Sequence, residues 1–541
     1  MRIKCLGAIR TVTGSCYQLE NPGGGLTLLD CGLFQGGRQT ELRNFNTPVY
    51  RPDALTGIVV THAHMDHSGL VPRLVQAGYR GPVYATGATA ELLAILWADG
   101  AHIQELESRW KTRKNSRRGG GYVAPLYTSD DAAMATDLLK PLGYGRDVEL
   151  PGGLGARFFQ GGHILGAASV QVTAPENGGE TRVLFSGDLG RKGQLLIPDP
   201  VEPPRSDAVF METTYGNRLH KSLQESIDEF FGVVDEAVKS GAGRILIPAF
   251  AVERTQEILY LLAMAHFDGR IPRDLPIFLD SPLAVGASEI YLRHPDLYDE
   301  EAAAINALKR GPQHMPCLKI TRTAEESQKI NDVAGPAIVI AGSGMANAGR
   351  ILHHLKHNLW RQDCHVVFVG FQAQGTTGRR LVEGASEVKI FREPVAVKAR
   401  IHTIGGFSGH ADQNELTEWL RPQVHDGLTV TLVHGEEQST LAFQEHLARV
   451  FPGLETVVPH WLEVLDVTSR KASWLPAPAE AVAEAAAAPA GDYSRSAEAV
   501  SMMSRLDRLK ESFGRRRETF PPSSLANLEA LLNMAEEIIL R

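Results

Sequence analysis

Short apolar segments rich in valine and isoleucine recur along the chain, and a polar or glycine-rich turn follows each of them. The segments are LTLLD, GIVVTHAH, RVLFSGD, AVFMETTYG, RILIPAF, LPIFLDS, AIVIAGSG, HVVFVGFQ and LTVTLVHGE. Each has the length of a buried strand, and helical segments such as 224–239 and 255–267 lie between them. This alternation predicts an α/β fold, in which functional side chains collect at the carboxyl ends of strands.

The pattern changes after Trp474. The segment LPAPAEAVAEAAAAPAG has the low complexity of an Ala/Pro-rich linker, which we predict over residues 475–496. Leucines and isoleucines near helical spacing follow, and they predict a helical C-terminal appendage over residues 497–541. Because an amphipathic helix with so apolar a face should not stay exposed, we expect these helices to form a homo-oligomer.

Length, composition and charge narrow the class of protein. A chain of 541 residues is long enough for more than one core, and 43% hydrophobic with 22% charged residues is typical of globular proteins. The N-terminus lacks the apolar region of a signal peptide and no segment reaches membrane-spanning length, so we expect a cytoplasmic protein with no membrane partner. The net charge of −8 means that a polyanionic partner would need local basic patches.

The segment THAHMDHSG directly follows the apolar run GIVV. Six consecutive residues of it contain four metal-binding side chains: His62, His64, Asp66 and His67. One short loop cannot close a tetrahedral site around a single ion with all four. Two ions about 3.5 to 4 Å apart would need a bridging carboxylate and further ligands from distant strand ends. Such candidates are His163 in GGHILG, Asp188 in FSGDLG and His434 in LVHGEE, while Asp30 in TLLDCG could orient a ligand histidine.

The order of these residues resembles the metallo-β-lactamase superfamily. HAHMDH, with Asp30 before it and His163 and Asp188 after it, matches the pattern of that superfamily, whose fold is an αββα sandwich with a dinuclear metal site. The superfamily includes lactamases, thioesterases, lactonases and nucleases, so the resemblance to it does not define a substrate.

Three later motifs narrow the resemblance to the β-CASP ribonuclease family. METTYGNR contains Glu212, GGFSGHADQNEL contains His410 and VHGE contains His434, and the three resemble motifs A, B and C of that family. IPAFAVERTQEIL, FLDSPLA, GSGMANAGR and GFQAQGTTGRRL are similar to its bacterial and archaeal members, which are themselves similar to the cleavage and polyadenylation endonuclease. A histidine in motif C, in place of an aliphatic residue, implies RNA rather than DNA.

The resemblance implies the domain organisation. A metallo-β-lactamase domain would begin at residues 1–205, a β-CASP α/β domain would be inserted over 206–395, and residues 396–474 would complete the first domain. RNA would lie in the cleft between the two domains.

The resemblance also implies the roles of the site residues. Two zinc ions per chain would be bound, one by His62, His64 and His163 and the other by Asp66, His67 and His434, with Asp188 between them. A metal-bridging hydroxide would attack the phosphodiester, and Asp30 and Asp66 count with the catalytic residues. His410, kept basic by Glu212, would protonate the leaving 3′-oxygen. By spacing alone His410 and His434 are interchangeable, and only the resemblance orders them.

Two kinds of segment are candidates for RNA contacts. The turns GSGMANAG and FQAQGTTG could bring backbone amides close to phosphate. The candidate phosphate-binding residues in or next to these turns are Ser343, Gly344, Arg350, Gln374, Arg379 and Arg380. The basic segment SRWKTRKNSRRGGG could follow an RNA backbone through Arg113, Lys114, Arg117 and Arg118, with Trp110 stacking on a base. The alternatives are plain loop geometry for the turns and a solvated loop for the basic segment.

These features predict a zinc-dependent ribonuclease that cleaves RNA internally, since HILGAAS resembles the endonucleolytic relatives. A 5′-exoribonuclease of the ribonuclease J type is the main alternative. A catalytically idle RNA-processing scaffold and a small-ester metallo-hydrolase are the others.

Overall fold

The computed structural model describes residues 1–477 except 37, 177–178, 242, 371, 373–374 and 470. The predicted appendage, and the linker from residue 478 onward, therefore lie outside the described residues. In chain order the strands are β1 (Arg2–Gly7), β2 (Cys16–Glu20), β3 (Leu26–Leu29), β4 (Leu55–Val59), β5 (Val83–Thr86), β6 (Leu139–Leu142), β7 (Asp147–Leu150), β8 (Leu154–Gln160), β9 (Ala168–Glu176), β10 (Gly179–Phe185), β11 (Ala208–Glu212), β12 (Arg244–Pro248), β13 (Ile277–Leu279), β14 (Leu318–Ile320), β15 (Ala337–Ala341), β16 (His365–Phe368), β17 (Glu387–Ile390), β18 (Glu393–Ala396), β19 (Arg400–Thr403), β20 (Thr429–Val433), β21 (Glu455–Val457), β22 (Val464–Val467) and β23 (Ala472–Leu475).

The α-helices between these strands are α1 (Arg38–Leu42), α2 (Met65–Ser68), α3 (Val71–Gln76), α4 (Gly87–Ser116), α5 (Ser129–Asp137), α6 (Leu223–Ser240), α7 (Arg254–Phe267), α8 (Pro282–Arg293), α9 (Glu300–Ala307), α10 (Ala324–Lys329), α11 (Ile351–Asn358), α12 (Thr377–Val382), α13 (Gln413–Leu420) and α14 (Glu437–Val450). Both helices predicted from the sequence are present, as α6 and α7. Ser222 and Glu225 form a capping box at the start of α6, and Gly241 ends the helix with a φ of 72°. No helix in the described part of the chain has the length and apolar character needed to cross a bilayer.

Two sheets pack face to face to form a sandwich. The first has the strand order β23-β22-β1-β2-β3-β4-β5-β6, and the second has the order β21-β20-β11-β10-β9-β8-β7. Side chains of both sheets form one buried core between them, such as Ile3 and Leu19 with Val170 and Phe210. A second core includes Trp97 of α4 on the outer face of the first sheet, and a third includes Leu416 of α13 with strands of the second sheet. This is the αββα sandwich predicted from the sequence.

A third sheet lies in the chain between two paired strands of the sandwich. Its order is β14-β13-β15-β12-β16-β19, and all its pairings are parallel. Because β11 pairs with β20 in the second sheet, the chain leaves the sandwich after β11 and returns to it before β20. The third sheet and its helices are therefore an inserted domain, as the sequence predicted.

Two strands lie across the predicted boundaries of the inserted domain. β11 falls within 206–395, yet it pairs with β10 and β20 of the sandwich. β19 falls after residue 395, yet it pairs with β16 of the third sheet. Motif spacing could not predict to which sheet these two strands belong, because backbone pairing joins distant segments. The bounds of the domains stay a prediction.

Parallel pairing brings three candidate residues to one edge of the sandwich. β10, β11 and β20 are neighbours that run in the same direction, so their carboxyl ends meet. Asp188 follows β10, Glu212 is the last residue of β11, and His434 directly follows β20. All five residues of β11 and of β20 are buried, which explains why both read as continuous apolar runs.

Candidate metal centre

The first cluster of metal-binding side chains joins the loop after β4 to two other loops. His62 Nε2 lies 3.1 Å from His64 Nδ1, and His163 Nε2 lies 3.2 Å from the same atom. Asp188 Oδ2 lies 3.5 Å from His62 Nε2 and 3.7 Å from His163 Nε2. One ligand atom from each of these four residues can be chosen so that all four atoms lie within 4.8 Å of one another.

The second cluster lies on the other side of Asp188. His67 Nε2 is 3.1 Å from His434 Nε2, which in turn is 3.6 Å from Asp66 Oδ2. Asp188 Oδ1 is 3.2 Å from His67 Nε2 and 3.3 Å from His434 Nδ1. The structure therefore brings all seven predicted ligand residues together, in two clusters that share one carboxylate.

The histidines of the first cluster favour the protonation state that binds metal. Burial lowers the pKa of His62 and of His163 well below the ordinary value for imidazole, and it lowers the pKa of His64 to about 4. A neutral imidazole offers a lone pair to a cation. The ring nitrogens converge at 3.1 to 3.2 Å, where protons on both would repel each other.

The two aspartates are held in their ionised form. Burial alone would raise the pKa of Asp66, but His434 and His67 lower it to about 2. Burial also opposes the ionisation of Asp188, and His434 and His67 together lower its pKa well below the ordinary value. Asp188 Oδ1 is buried and, among the described residues, has no hydrogen-bond partner. Because an ionised buried oxygen without a donor is costly, this donor set fits divalent metal ions.

Asp30 orients His67 from behind the second cluster. Asp30 Oδ2 lies 2.6 Å from His67 Nδ1, so it can accept a hydrogen bond that leaves Nε2 facing the cluster. Burial acts to lower the pKa of His67, but Asp188 and Asp30 raise it well above the ordinary value. Asp30 has a φ of 58°, and its carboxylate accepts hydrogen bonds from the backbone and hydroxyl of Thr61 and from the Ser15 hydroxyl. Left-handed backbone in a non-glycine residue costs about 1 to 3 kcal/mol, which these hydrogen bonds offset.

The backbone around His434 is also constrained. His434 has a φ of 46°, its amide donates to the carbonyl of Ala8 at 2.8 Å, and its carbonyl accepts from the amide of Thr213 at 3.1 Å. The hydroxyl of Thr214 lies 3.3 Å from His434 Nδ1. The motifs did not predict a role for Thr214, Thr61 or Ser15, although Thr61 and Thr214 lie inside two of them.

Glu212 and His410 form a pair beside the shared carboxylate. Glu212 is fully buried, and its Oε1 accepts from the amide of Leu189 at 2.7 Å and lies 3.3 Å from His410 Nδ1. Burial lowers the pKa of His410, but Glu212 and then Asp188 raise it above the ordinary value. The His410 ring is 22% exposed and its centroid is 4.4 Å from that of His163. An imidazole whose protonated form is favoured by Glu212 and Asp188 therefore reaches the surface directly beside the first cluster.

The loop that carries His163 contacts the inserted domain and the segment that completes the sandwich. His163 Nδ1 lies 2.8 Å from the carbonyl of Gly409, and a Cβ at position 409 would approach Arg254 Nη2 to 2.6 Å. The amide of Leu165 donates to the Tyr291 hydroxyl at 3.3 Å, and that hydroxyl donates to Glu253. Apart from His163, none of these residues was predicted as a site residue, because their contacts join segments far apart in the chain.

The predicted phosphate contacts are only partly free. Arg350 Nη1 donates to Asp280 at 2.7 Å and its Nη2 donates to the carbonyl of Arg322 at 2.8 Å. Arg350 thus ties the end of β13 to the residues after β14, and its role in phosphate binding stays a prediction. Arg379 forms an ion pair with Glu383 at 2.6 Å. Arg380 is exposed, and Gln374 lies outside the described residues.

The two glycine-rich turns form hydrogen bonds within and between themselves. The Ser343 hydroxyl accepts from the amides of Asn347 and Ala348, each at 3.3 Å. Gln372 Nε2 donates to the carbonyl of Gly344 at 3.0 Å. The turns are thus close together, and a role in phosphate binding stays a prediction.

The basic segment is helical up to Ser116, and Arg117 and Arg118 lie in the turn that follows. Residues 109–116 form the last two turns of α4, and Arg117 follows at its carboxyl end. Arg113, Lys114, Arg117 and Arg118 are all exposed. Lys114 Nζ lies 5.1 Å from the ring centroid of Trp110, which is 49% exposed.

Comparison with known proteins identifies the domains in the same order. The chain matches family models for the metallo-beta-lactamase superfamily over residues 9–238, for the Beta-Casp domain over 255–381, and for the Zn-dependent metallo-hydrolase RNA specificity domain over 394–459. It is 41% identical to Ribonuclease TTHA0252 of Thermus thermophilus, over 83% of this chain and 96% of that protein.

More distant relatives are archaeal. The chain is 29% identical to the transcription termination factor FttA of Methanocaldococcus jannaschii, over 86% of this chain and 72% of the relative. It is 30% identical to FttA of Pyrococcus abyssi, over 86% of this chain and 71% of the relative. With the αββα sandwich, the inserted domain and the two metal-binding clusters, these matches show that the chain is a metal-dependent hydrolase acting on RNA and belongs to the β-CASP ribonuclease family of the metallo-β-lactamase superfamily.

Proposed function

We propose that the protein binds two zinc ions and cleaves RNA at internal phosphodiester bonds. The observation that supports this proposal best is the sharing of Asp188, whose two carboxylate oxygens face different clusters of buried histidines. His62, His64 and His163 would hold one ion, and Asp66, His67 and His434 the other. Nitrogen-rich donor sets with a few carboxylates favour zinc over magnesium or calcium, which prefer oxygen ligands.

The bound ions would supply the chemistry of a two-metal hydrolase, in which water ionises near neutral pH and the charge of a phosphodiester is neutralised. The protein contributes orientation and a proton. Asp30 accepts a hydrogen bond from His67 and so fixes which ring nitrogen faces the cluster. His410, whose pKa Glu212 raises, is the group that we propose to protonate the leaving 3′-oxygen.

Internal cleavage is the finer part of the proposal. It is supported by the resemblance of HILGAAS to endonucleolytic relatives. The test is the product pattern from one unstructured RNA labelled at its 5′ end, prepared with and without a 5′-monophosphate. We expect the same set of internal products from both forms. Release of single labelled nucleotides that requires the 5′-monophosphate would contradict internal cleavage and favour the 5′-exonuclease.

Metal content and substrate class are tested on the purified protein. We expect about two zinc ions per chain by elemental analysis, loss of RNA cleavage after chelation, and recovery on addition of zinc. Two bound zinc ions with no cleavage of any RNA would favour the idle scaffold. Hydrolysis of a small ester or thioester without cleavage of RNA would favour the small-ester hydrolase.

Replacement of Asp30 by asparagine should weaken metal binding without removing a ligand. The amide oxygen of asparagine accepts a hydrogen bond from His67 Nδ1 less strongly than a carboxylate does, so the His67 ring is less well oriented and less basic. We expect a loss of about 10- to 100-fold in affinity for the more weakly bound zinc ion, measured by competition with a chelator. Asp53→Asn is the control, since the side chain of Asp53 is 77% exposed. An affinity equal to that of the control would contradict the orienting role.

A further inference from the structure

The basic end of α4 meets a hairpin of the inserted domain. Trp110 is 49% exposed, with Lys114 Nζ 5.1 Å and the Arg392 guanidinium 6.0 Å from its ring centroid. Arg392 lies in the turn between β17 and β18, far from α4 in the chain. Two domains therefore contribute cations to one exposed aromatic ring.

The hairpin turn presents its side chains at a conformational cost. Phe391 and Arg392, the two residues between β17 and β18, have φ values of 50° and 70°. Turns with two residues of positive φ favour Asn-Gly, because bulky side chains are disfavoured there. Phe391 is nevertheless 48% exposed, and its ring centroid is 4.6 Å from that of His353. A second exposed aromatic ring thus lies next to the cation that faces Trp110.

We define the Trp110 patch as Trp110, Arg113, Lys114, Arg117, Arg118, Phe391 and Arg392. Within the described residues, none of its five cations lies within 4.0 Å of a carboxylate, whereas the nearby Arg109 and Lys111 pair with Glu105 and Glu107. Cations at the carboxyl end of a helix also interact favourably with the helix dipole. That effect does not account for an exposed tryptophan or for an arginine supplied by another domain.

We propose that the Trp110 patch binds single-stranded RNA on its way to the metal centre. Bases can stack on any exposed aromatic face, and unpaired cations beside such faces bind the phosphates between the bases. The chain as a whole has a net charge of −8, so attraction of a polyanion requires a local surface of this kind. The inference rests on the proposed ribonuclease function and adds a substrate requirement to it.

The geometry of α4 gives the length of RNA that the patch implies. Trp97 Nε1 donates to the carbonyl of Ser68, and a Cβ at Gly100 would lie 3.1 Å from Met65 Cε, so the middle of α4 is beside the HAHMDH loop. Lys114 is 14 residues further along the helix. At 1.5 Å per residue the patch is about 20 Å from that loop. At about 3.4 Å per stacked nucleotide, about six nucleotides would connect them.

The test compares RNA of two lengths. We would measure kcat/KM for an unstructured 20-nucleotide RNA and for a 4-nucleotide RNA that is too short to reach the patch. Trp110→Ala should lower the ratio of kcat/KM for the 20-nucleotide RNA to kcat/KM for the 4-nucleotide RNA by about tenfold, as expected for the loss of one stacked base. Trp360→Ala is the matched control, because Trp360 is 56% exposed and outside the patch.

The charges are tested by the salt dependence of binding to the same 20-nucleotide RNA, made with a non-cleavable backbone. For the double variant Lys114→Gln with Arg392→Gln, the slope of log affinity against log salt should fall by about 1.4, or 0.7 for each lost phosphate contact. The control pair is Arg182→Gln with Lys239→Gln, two exposed cations elsewhere.

The outcomes separate this inference from the proposed function. The inference would be overturned if the ratio of kcat/KM values and the salt slope were both within error of those of the controls. It would also be overturned if Trp110→Ala lowered kcat/KM equally for the long and the short RNA. If the unaltered protein cleaves neither RNA, the proposed function fails. The salt slope of the non-cleavable RNA then still decides whether the patch binds RNA.

Discussion

Asp188→Ala should remove zinc and RNA cleavage together, and this is the largest effect that we expect from a single substitution. Each oxygen of Asp188 faces one of the two clusters, at 3.2 to 3.7 Å from their histidines. Two unit charges 4 Å apart interact by about 4 kcal/mol near a protein surface, and two divalent ions by about four times as much. Without the negative charge of the shared carboxylate nothing offsets this repulsion between the ions, so at most one ion should remain.

Elemental analysis and a cleavage assay on the same sample test this prediction. We expect zinc to fall from about two ions to one or none per chain, and cleavage to fall to the background. Asp147→Ala is the control, since Asp147 is in the same sheet and its side chain is 76% exposed. A circular dichroism spectrum like that of the unaltered protein would show that the fold persists. Retention of both ions with full activity would rule out Asp188 as the shared ligand.

His410→Ala should slow RNA cleavage strongly while leaving the metals in place. The His410 ring lies beside the clusters, and its Nδ1 faces Glu212 at 3.3 Å. If it supplies the proton to the leaving oxygen, its removal should lower kcat by about 10²- to 10⁴-fold. Zinc content and affinity for RNA should stay close to those of the unaltered protein.

Two further measurements distinguish proton donation from metal binding. An RNA with a 3′-thio leaving group needs little protonation, so its cleavage by the His410→Ala protein should recover much of the lost rate. His434→Ala should instead lose zinc, because His434 Nε2 lies 3.1 Å from His67 Nε2 in the second cluster. If His410→Ala releases zinc and His434→Ala does not, the two roles are reversed.

The apolar runs of the sequence predicted much of the fold. All nine runs quoted from the sequence contain strands, and α6 and α7 match the predicted helices within one residue at each end. Most of these strands, such as β11, β12, β15 and β20, are buried at every residue, so their sequences are largely apolar. Strands such as β7, with the burial pattern of a half-exposed edge, were not recognised, because four residues with mixed polarity carry too weak a periodicity.

Motif order in the sequence predicted the family and the set of candidate ligands, since each motif is local and its residue types reflect the chemistry of metal binding. The order in which strands pair was not predictable in the same way. Backbone hydrogen bonds join residues 208–212 of β11 to 429–433 of β20, and β16 to β19, and only these pairings show to which sheet β11 and β19 belong.

The sequence by itself determined that four metal-binding residues follow β4 and that partners for them exist at other strand ends. Only the tertiary structure decided that Asp188 faces both clusters, that Arg350 is bound to Asp280, and that Arg392 reaches Trp110 from another domain. The physical reason is that a side chain's partners depend on packing between distant segments. A local pattern of residue types specifies what a side chain can bind, whereas the fold specifies what it meets.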